Sequence, residues 1–198
     1  MTDQGRREFL RLGGLAIVSF GLSPLRPLAE AVPVAVRPRP APALEVIEMQ
    51  SDLLGTKVWF DPIGLHVTPG TTVRWVVRAN VHTTTAYSPQ NAHHPLRIPD
   101  GATPWDSGYL VHPGDHFDVT LTVPGIYDYF CMPHEAAGMV GRIVVGDPPG
   151  TGARPFDYWV GRPGTEEWTH VPPAAQKAFP TVARIMAERR VRPAGSRR

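Results

Sequence analysis

Cysteine is almost missing from this chain. Among 198 residues there is one, Cys131, so no intrachain disulfide framework can form, and a thiol in an oxidising compartment is a liability unless it is buried or bound. An excess of either charge is missing too. Lys and Arg total 20 against 18 Asp and Glu, a formal net charge of +2, which leaves no charge-based case for a nucleic-acid partner. The apolar run from Leu12 to Leu22 is too short and too glycine-rich for a good membrane span. Proline and glycine, by contrast, are plentiful, at 23 and 19. That composition favours short strands and many turns over long helices, an all-β architecture, in a chain long enough for one full-sized domain.

The N-terminus reads as an export signal. Arg6-Arg7 stands just ahead of the apolar run and Ala29-Glu30-Ala31 supplies a small-x-small cleavage pattern, so residues 1–31 resemble a twin-arginine signal peptide and the mature chain is expected to be periplasmic or otherwise exported. After cleavage no membrane span is expected. Residues 32–43 alternate Pro with small residues and read as an extended linker.

From Leu44 onward, short apolar blocks and alternating runs are punctuated by Pro69-Gly70, Pro113-Gly114 and Pro124-Gly125. The pattern predicts strands over 44–49, 57–60, 65–67, 72–77, 116–123, 126–130 and 140–145, arranged as a sandwich of two antiparallel sheets. Residues 88–107 read as an irregular excursion. Beyond the main domain, 44–147, an extension over 148–198 carries Phe156, Tyr158, Trp159 and Trp168, followed by helical spacing over 174–191. This short C-terminal helix is expected to pack on the sandwich.

Chemistry concentrates in Cys131-Met-Pro-His134-Glu-Ala-Ala-Gly-Met139. One thiolate, one imidazole and one thioether occur as C-x-x-H-x-x-x-x-M on a loop between two predicted strands. Soft sulfur ligands stabilise Cu(I), imidazoles suit both oxidation states, and two His, one Cys and a weak axial Met make the blue-copper donor set. A second imidazole is needed from His66, His82, His93, His94, His112 or His116. His82 follows directly on the strand led by Pro69-Gly70, and that position selects it.

Cys131 to Gly141 with Gly125, together with Pro69-Gly70-Thr71-Thr72-Val73-Arg74-Trp75 leading to His82, resembles plastocyanin, pseudoazurin and related cupredoxins. The resemblance implies a Greek-key β-sandwich binding one type 1 copper, with His82, Cys131 and His134 as strong ligands and Met139 as the long axial one. It further implies a role shuttling electrons between larger redox proteins, a donor and an acceptor; the chain is expected to be a non-enzymatic monomer, with copper delivery or buffering as the alternative reading. Relatives commonly place Asn directly after the first ligand His, where this chain has Thr83.

Copper oxidases and nitrite reductases need further centres with His-x-His pairs, and a dinuclear copper centre needs two loop cysteines. This chain has neither. His93, His94, His112 and His116 read as exposed loop residues, and Trp105 and Tyr109 as ordinary packing.

Overall fold

The computed structural model describes residues 43–147, 155–156 and 161–193. The expected signal peptide, the linker through residue 42, and Tyr158 and Trp159 lie outside the described residues.

Nine strands are described: β1 (Leu44–Ser51), β2 (Val58–Asp61), β3 (Gly64–Val67), β4 (Thr71–Val77), β5 (Thr85–Ala86), β6 (His116–Leu121), β7 (Gly125–Phe130), β8 (Val140–Val145) and β9 (Arg190–Val191). They form one sheet in the order β2-β1-β4-β6 and a second in the order β5-β7-β8-β3-β9. All seven strands read from the sequence are present within two residues of their expected bounds. The antiparallel expectation needs correction. β1 pairs with β4 and β3 with β8 in parallel, so each sheet of the sandwich is mixed.

Alternation explains how β4 is used. Thr71, Val73, Trp75 and Val77 are buried while Thr72, Arg74 and Val76 are partly exposed, the period-two pattern of a strand with one face on a core. Ile47 and Met49 of β1 join this face, and Leu65, Tyr127, Tyr129 and Ile143 meet them from the other sheet.

β8 behaves differently, with all six residues buried. Its Ile143 and Val145 face the sandwich core. Val140 packs with Val171 and Ala175, and Val144 packs with Ile185 and Val191, so the C-terminal extension covers the strand's second face. A strand covered on both sides reads as a continuous apolar run.

The single helix expected over 174–191 is two helices and a strand. α1 (Pro173–Ala178) stops because Pro180 disfavours helical backbone at Phe179, which is extended at φ −60°, ψ 128°. The Thr181 side chain then accepts the Arg184 N–H and opens α2 (Val182–Glu188). Arg189, at φ 60°, ends α2 and turns the chain into β9, which pairs with Gly64 and Leu65. Gly64 is required there: a Cβ would stand 2.8 Å from Ile185 Cγ1 and 2.9 Å from Pro180 Cγ.

The 88–107 excursion carries no strand among the described residues, yet it is anchored. Arg97 reaches the fully buried Asp128 of β7 at 2.8 Å, and Arg142 of β8 reaches the same carboxylate at 2.7 and 3.0 Å. Arg142 also donates to the Pro180 carbonyl at 2.9 Å. Burial alone would push the Asp128 carboxyl up, but Arg142 and then Arg97 hold it below the ordinary carboxylate range.

Stability from a depressed carboxyl is present above its unfolded value, about 3.9, and is lost as pH falls through the folded value. Denaturant unfolding of Asp128→Asn at neutral pH is therefore expected to show a loss of about 3–5 kcal/mol, since two buried guanidinium groups lose their counter-charge. The deficit relative to the parent is expected to shrink as the pH is lowered below 4, estimated roughly from that same unfolded value.

Candidate metal centre

β7 delivers Cys131 and a short 3-10 helix, Met132–Ala137, carries His134. Pro133 lies in its first turn, and Gly138, in the left-handed region at φ 85°, closes it and returns the chain to Met139. Backbone bonds staple this loop shut. The Cys131 N–H donates to the Met139 carbonyl at 3.0 Å, the His134 N–H to the Cys131 carbonyl at 2.9 Å, and the Met139 N–H to the His134 carbonyl at 3.1 Å. His82 arrives separately, held by reciprocal backbone bonds with Leu110 at 3.1 and 2.9 Å.

The result is one cluster. The ligand atoms of His82, Cys131 and His134 all lie within 4.8 Å of one another. Cys131 Sγ is 3.6 Å from His82 Nδ1 and 3.3 Å from His134 Nδ1. Met139 is fully buried in the same core cluster as Cys131. Among the described residues no other group of three His, Cys, Asp or Glu is arranged to hold a metal.

Local chemistry prepares these ligands. His82 Nε2 lies 2.8 Å from the Ala79 carbonyl; a carbonyl only accepts, so the ring proton sits on Nε2 and the Nδ1 lone pair faces the sulfur. Burial pushes the His82 imidazole down to about 4, opposed by its bond to Ala79 and aided by His134, so it is neutral at physiological pH. Burial also lowers His134. Burial pushes the Cys131 thiol up to about 11, against hydrogen bonds from Thr83 and His134. With the thiol proton displaced by a bound metal, one sulfur and two neutral imidazoles would fit copper better than hard cations such as magnesium or calcium.

Thr83, directly after His82, bonds to the Cys131 segment. Its N–H donates to Cys131 Sγ at 3.3 Å, and its Oγ1 accepts the Met132 N–H at 2.8 Å. One residue thus ties the His82 segment to the Cys131 sulfur and to the backbone amide that follows it.

A second clasp was not legible in the sequence. Glu135, buried beside His134, accepts the Tyr87 hydroxyl at 2.6 Å and meets His94 Nε2 at 2.9 Å. His94 Nδ1 faces the Asn91 carbonyl at 3.0 Å, and its ring stacks on Phe130 at 4.3 Å. The expectation that His94 is exposed is corrected: only 5% of its surface is accessible, because the excursion folds back over β7. His93, His112 and His116 are exposed as read. Trp105 is packed, donating to Thr84 Oγ1 at 3.1 Å. Tyr109 is not packed. It is 62% exposed.

Residues 47–146 match the family model described as copper binding proteins, plastocyanin/azurin family. The plastocyanin of Scenedesmus fuscus is 32% identical over 89 residues, which cover 43% of this chain and 85% of that protein. The chloroplastic plastocyanin of Hordeum vulgare is 60% identical over 37 residues, 19% of this chain and 24% of that protein. The chain spans about a quarter of the length of such higher-identity relatives. Among solved structures, a pseudoazurin from Sinorhizobium is 26% identical with a TM-score of 0.48, covering 74% of this chain and 95% of the other.

The extension buttresses the ligand loop from outside. A Cβ on Gly138 would stand 3.2 Å from the Ala174 carbonyl of α1. Gly138→Ala combines that contact with a left-handed backbone, and denaturant unfolding is expected to show a loss of about 1–3 kcal/mol.

Proposed function

The chain belongs to the plastocyanin/azurin family of copper-binding proteins, and from that premise we propose that it is an exported one-electron carrier whose single type 1 copper is held by His82, Cys131, His134 and Met139. The observation that carries this reading is the buried thiol flanked by two imidazoles that both turn Nδ1 toward its sulfur. When bound, copper supplies a Cu(II)/Cu(I) couple that takes up and gives up one electron.

The protein's part is to hold the ligands still and keep them available. The ring proton parked on His82 Nε2 and the stapled 131–139 loop favour one arrangement in both oxidation states, so little reorganisation accompanies each transfer. His134 is the partly exposed ligand and gives the exit. Met132, Pro133, Ala136 and Ala137 around it are exposed. Tyr109 and Val111, either side of the Leu110 that pairs with His82, are exposed too. This apolar surface suits brief docking of a redox donor and then an acceptor. No substrate is transformed.

The paired arginines and the Ala29-Glu30-Ala31 pattern support a twin-arginine signal over 1–31 and a periplasmic or otherwise exported mature chain. Residues 32–43 serve as linker, 44–147 as the copper domain and 148–198 as its extension. No helix among the described residues is long and apolar enough to cross a membrane. A monomer suffices for the proposed task, since all four ligands come from one chain.

The purified protein loaded with Cu(II) is expected to show an intense visible absorption and a narrow copper hyperfine splitting, bleached reversibly by ascorbate. Cys131→Ser is expected to abolish the colour; a coloured Cys131→Ser protein would remove the assignment. Met139→Leu is expected to keep copper with a raised reduction potential, measured by voltammetry. A colourless protein that binds copper and passes it to an acceptor would support delivery instead.

A further inference from the structure

Thr83 does not act alone. Its hydroxyl lies 2.9 Å from Thr85 Oγ1, and the Thr85 hydroxyl donates to Asp106 Oδ1 at 3.0 Å. Thr83 and Thr85 are fully buried, whereas Asp106 is exposed. The three residues therefore connect the surface to the backbone amide beside Cys131.

Counting protons fixes the direction of this chain. A carboxylate has no proton to give, so the single Thr85 proton goes to Asp106. The Thr83 proton then goes to Thr85, and the lone pairs of Thr83 Oγ1 are left for the Met132 N–H. Each bond polarises the next. Reversing the order would strand the Thr83 proton in a dry interior with no acceptor. The strand 83–85 is held to 105–107 by further bonds, Thr84 N–H to Ser107 Oγ at 2.9 Å and Ser107 N–H to the Thr84 carbonyl at 3.1 Å.

We propose that Thr83, Thr85 and Asp106 form a relay that sets the hydrogen bonding around the Cys131 sulfur from the protein surface, with Thr85 and Asp106 as positioning residues for the metal centre. The proposal rests on the copper reading above for its electronic consequence, but its structural half is independent of copper. With Thr83 held, its N–H stays on Cys131 Sγ at 3.3 Å and withdraws electron density from the sulfur. With Thr83 released, the sulfur donates more strongly, Cu(II) is favoured, and the reduction potential falls.

Four variants separate this relay from charge and from mere packing. Thr85→Val removes the relay without changing charge. Thr85→Ser keeps it, Asp106→Ala removes both acceptor and charge, and Asp106→Asn removes the charge while keeping an acceptor oxygen. Loss of a negative charge by itself raises the potential, the opposite sign to loss of the relay. In the metal-free protein, amide hydrogen exchange of Met132 is expected to quicken roughly three- to tenfold in Thr85→Val and Asp106→Ala. Thr85→Ser and Asp106→Asn are expected to exchange like the parent. In the copper-loaded protein the potential is expected to fall, and the visible band to shift, in Thr85→Val but not in Thr85→Ser, and Asp106→Ala is expected to lie below Asp106→Asn, which carries the loss of charge alone.

An unchanged Met132 exchange rate in both Thr85→Val and Asp106→Ala would overturn the relay, whatever copper does. A potential that rises equally in Asp106→Ala and Asp106→Asn would reduce Asp106 to a point charge and overturn its positioning role. If Thr85→Val does not fold, the surface variant Asp106→Ala still decides. A colourless parent with normal exchange effects would sink the copper reading and leave the relay's structural half standing.

Discussion

A carboxylate sealed from water is tolerated only where positive charge and hydrogen bonds replace the solvent it has lost, and Asp128 imposes that condition on much of the molecule. Fully buried on β7, it draws Arg97 in from the 88–107 excursion and Arg142 across from β8. Arg142 in turn holds the carbonyl of Pro180, between the two C-terminal helices. The excursion, β8 and the C-terminal extension are thereby assembled on the strand that leads into Cys131. Cation–ring contacts extend the arrangement, with Arg97 4.0 Å from the Phe156 ring centroid and Arg142 5.0 Å from that of Phe179.

The metal centre gains its order from this assembly. A stapled loop, a buried carboxylate clasp and the Thr83 bonds approach Cys131 and His134 from different directions, and α1 closes the outer side. Together they hold His82, Cys131 and His134 in place, so that binding a metal would require little ordering of the chain, the condition under which preorganised sites perform best.

The sandwich strands and the closeness of Cys131 to His134 were legible because they are written locally. Alternation in 71–77 and the C-x-x-H-x-x-x-x-M run each lie within ten residues. What was not legible is long-range. The Tyr87, His94 and Glu135 clasp joins residues 41 and 48 apart, and nothing about His94 as a letter beside His93 distinguishes the buried ring from the exposed one. The helix over 174–191 was misread in detail because its apolar periodicity ran through Pro180 and Arg189, where a backbone restriction and a positive φ divide it. Parallel pairing of β1 with β4 leaves no mark in either strand's own sequence. The apolar run of β8 did carry such a mark, since a strand with one wet face would alternate.

Among the described residues, the sheet that carries the 131–139 loop ends on both sides in strands of two residues, β5 and β9. Unpaired strand edges are templates on which a second molecule can add its own backbone, and natural β-proteins blunt them by keeping the outermost strands short. Here the blunting protects the crowd as much as the fold: molecules meeting at high concentration find little backbone to zip onto along this sheet.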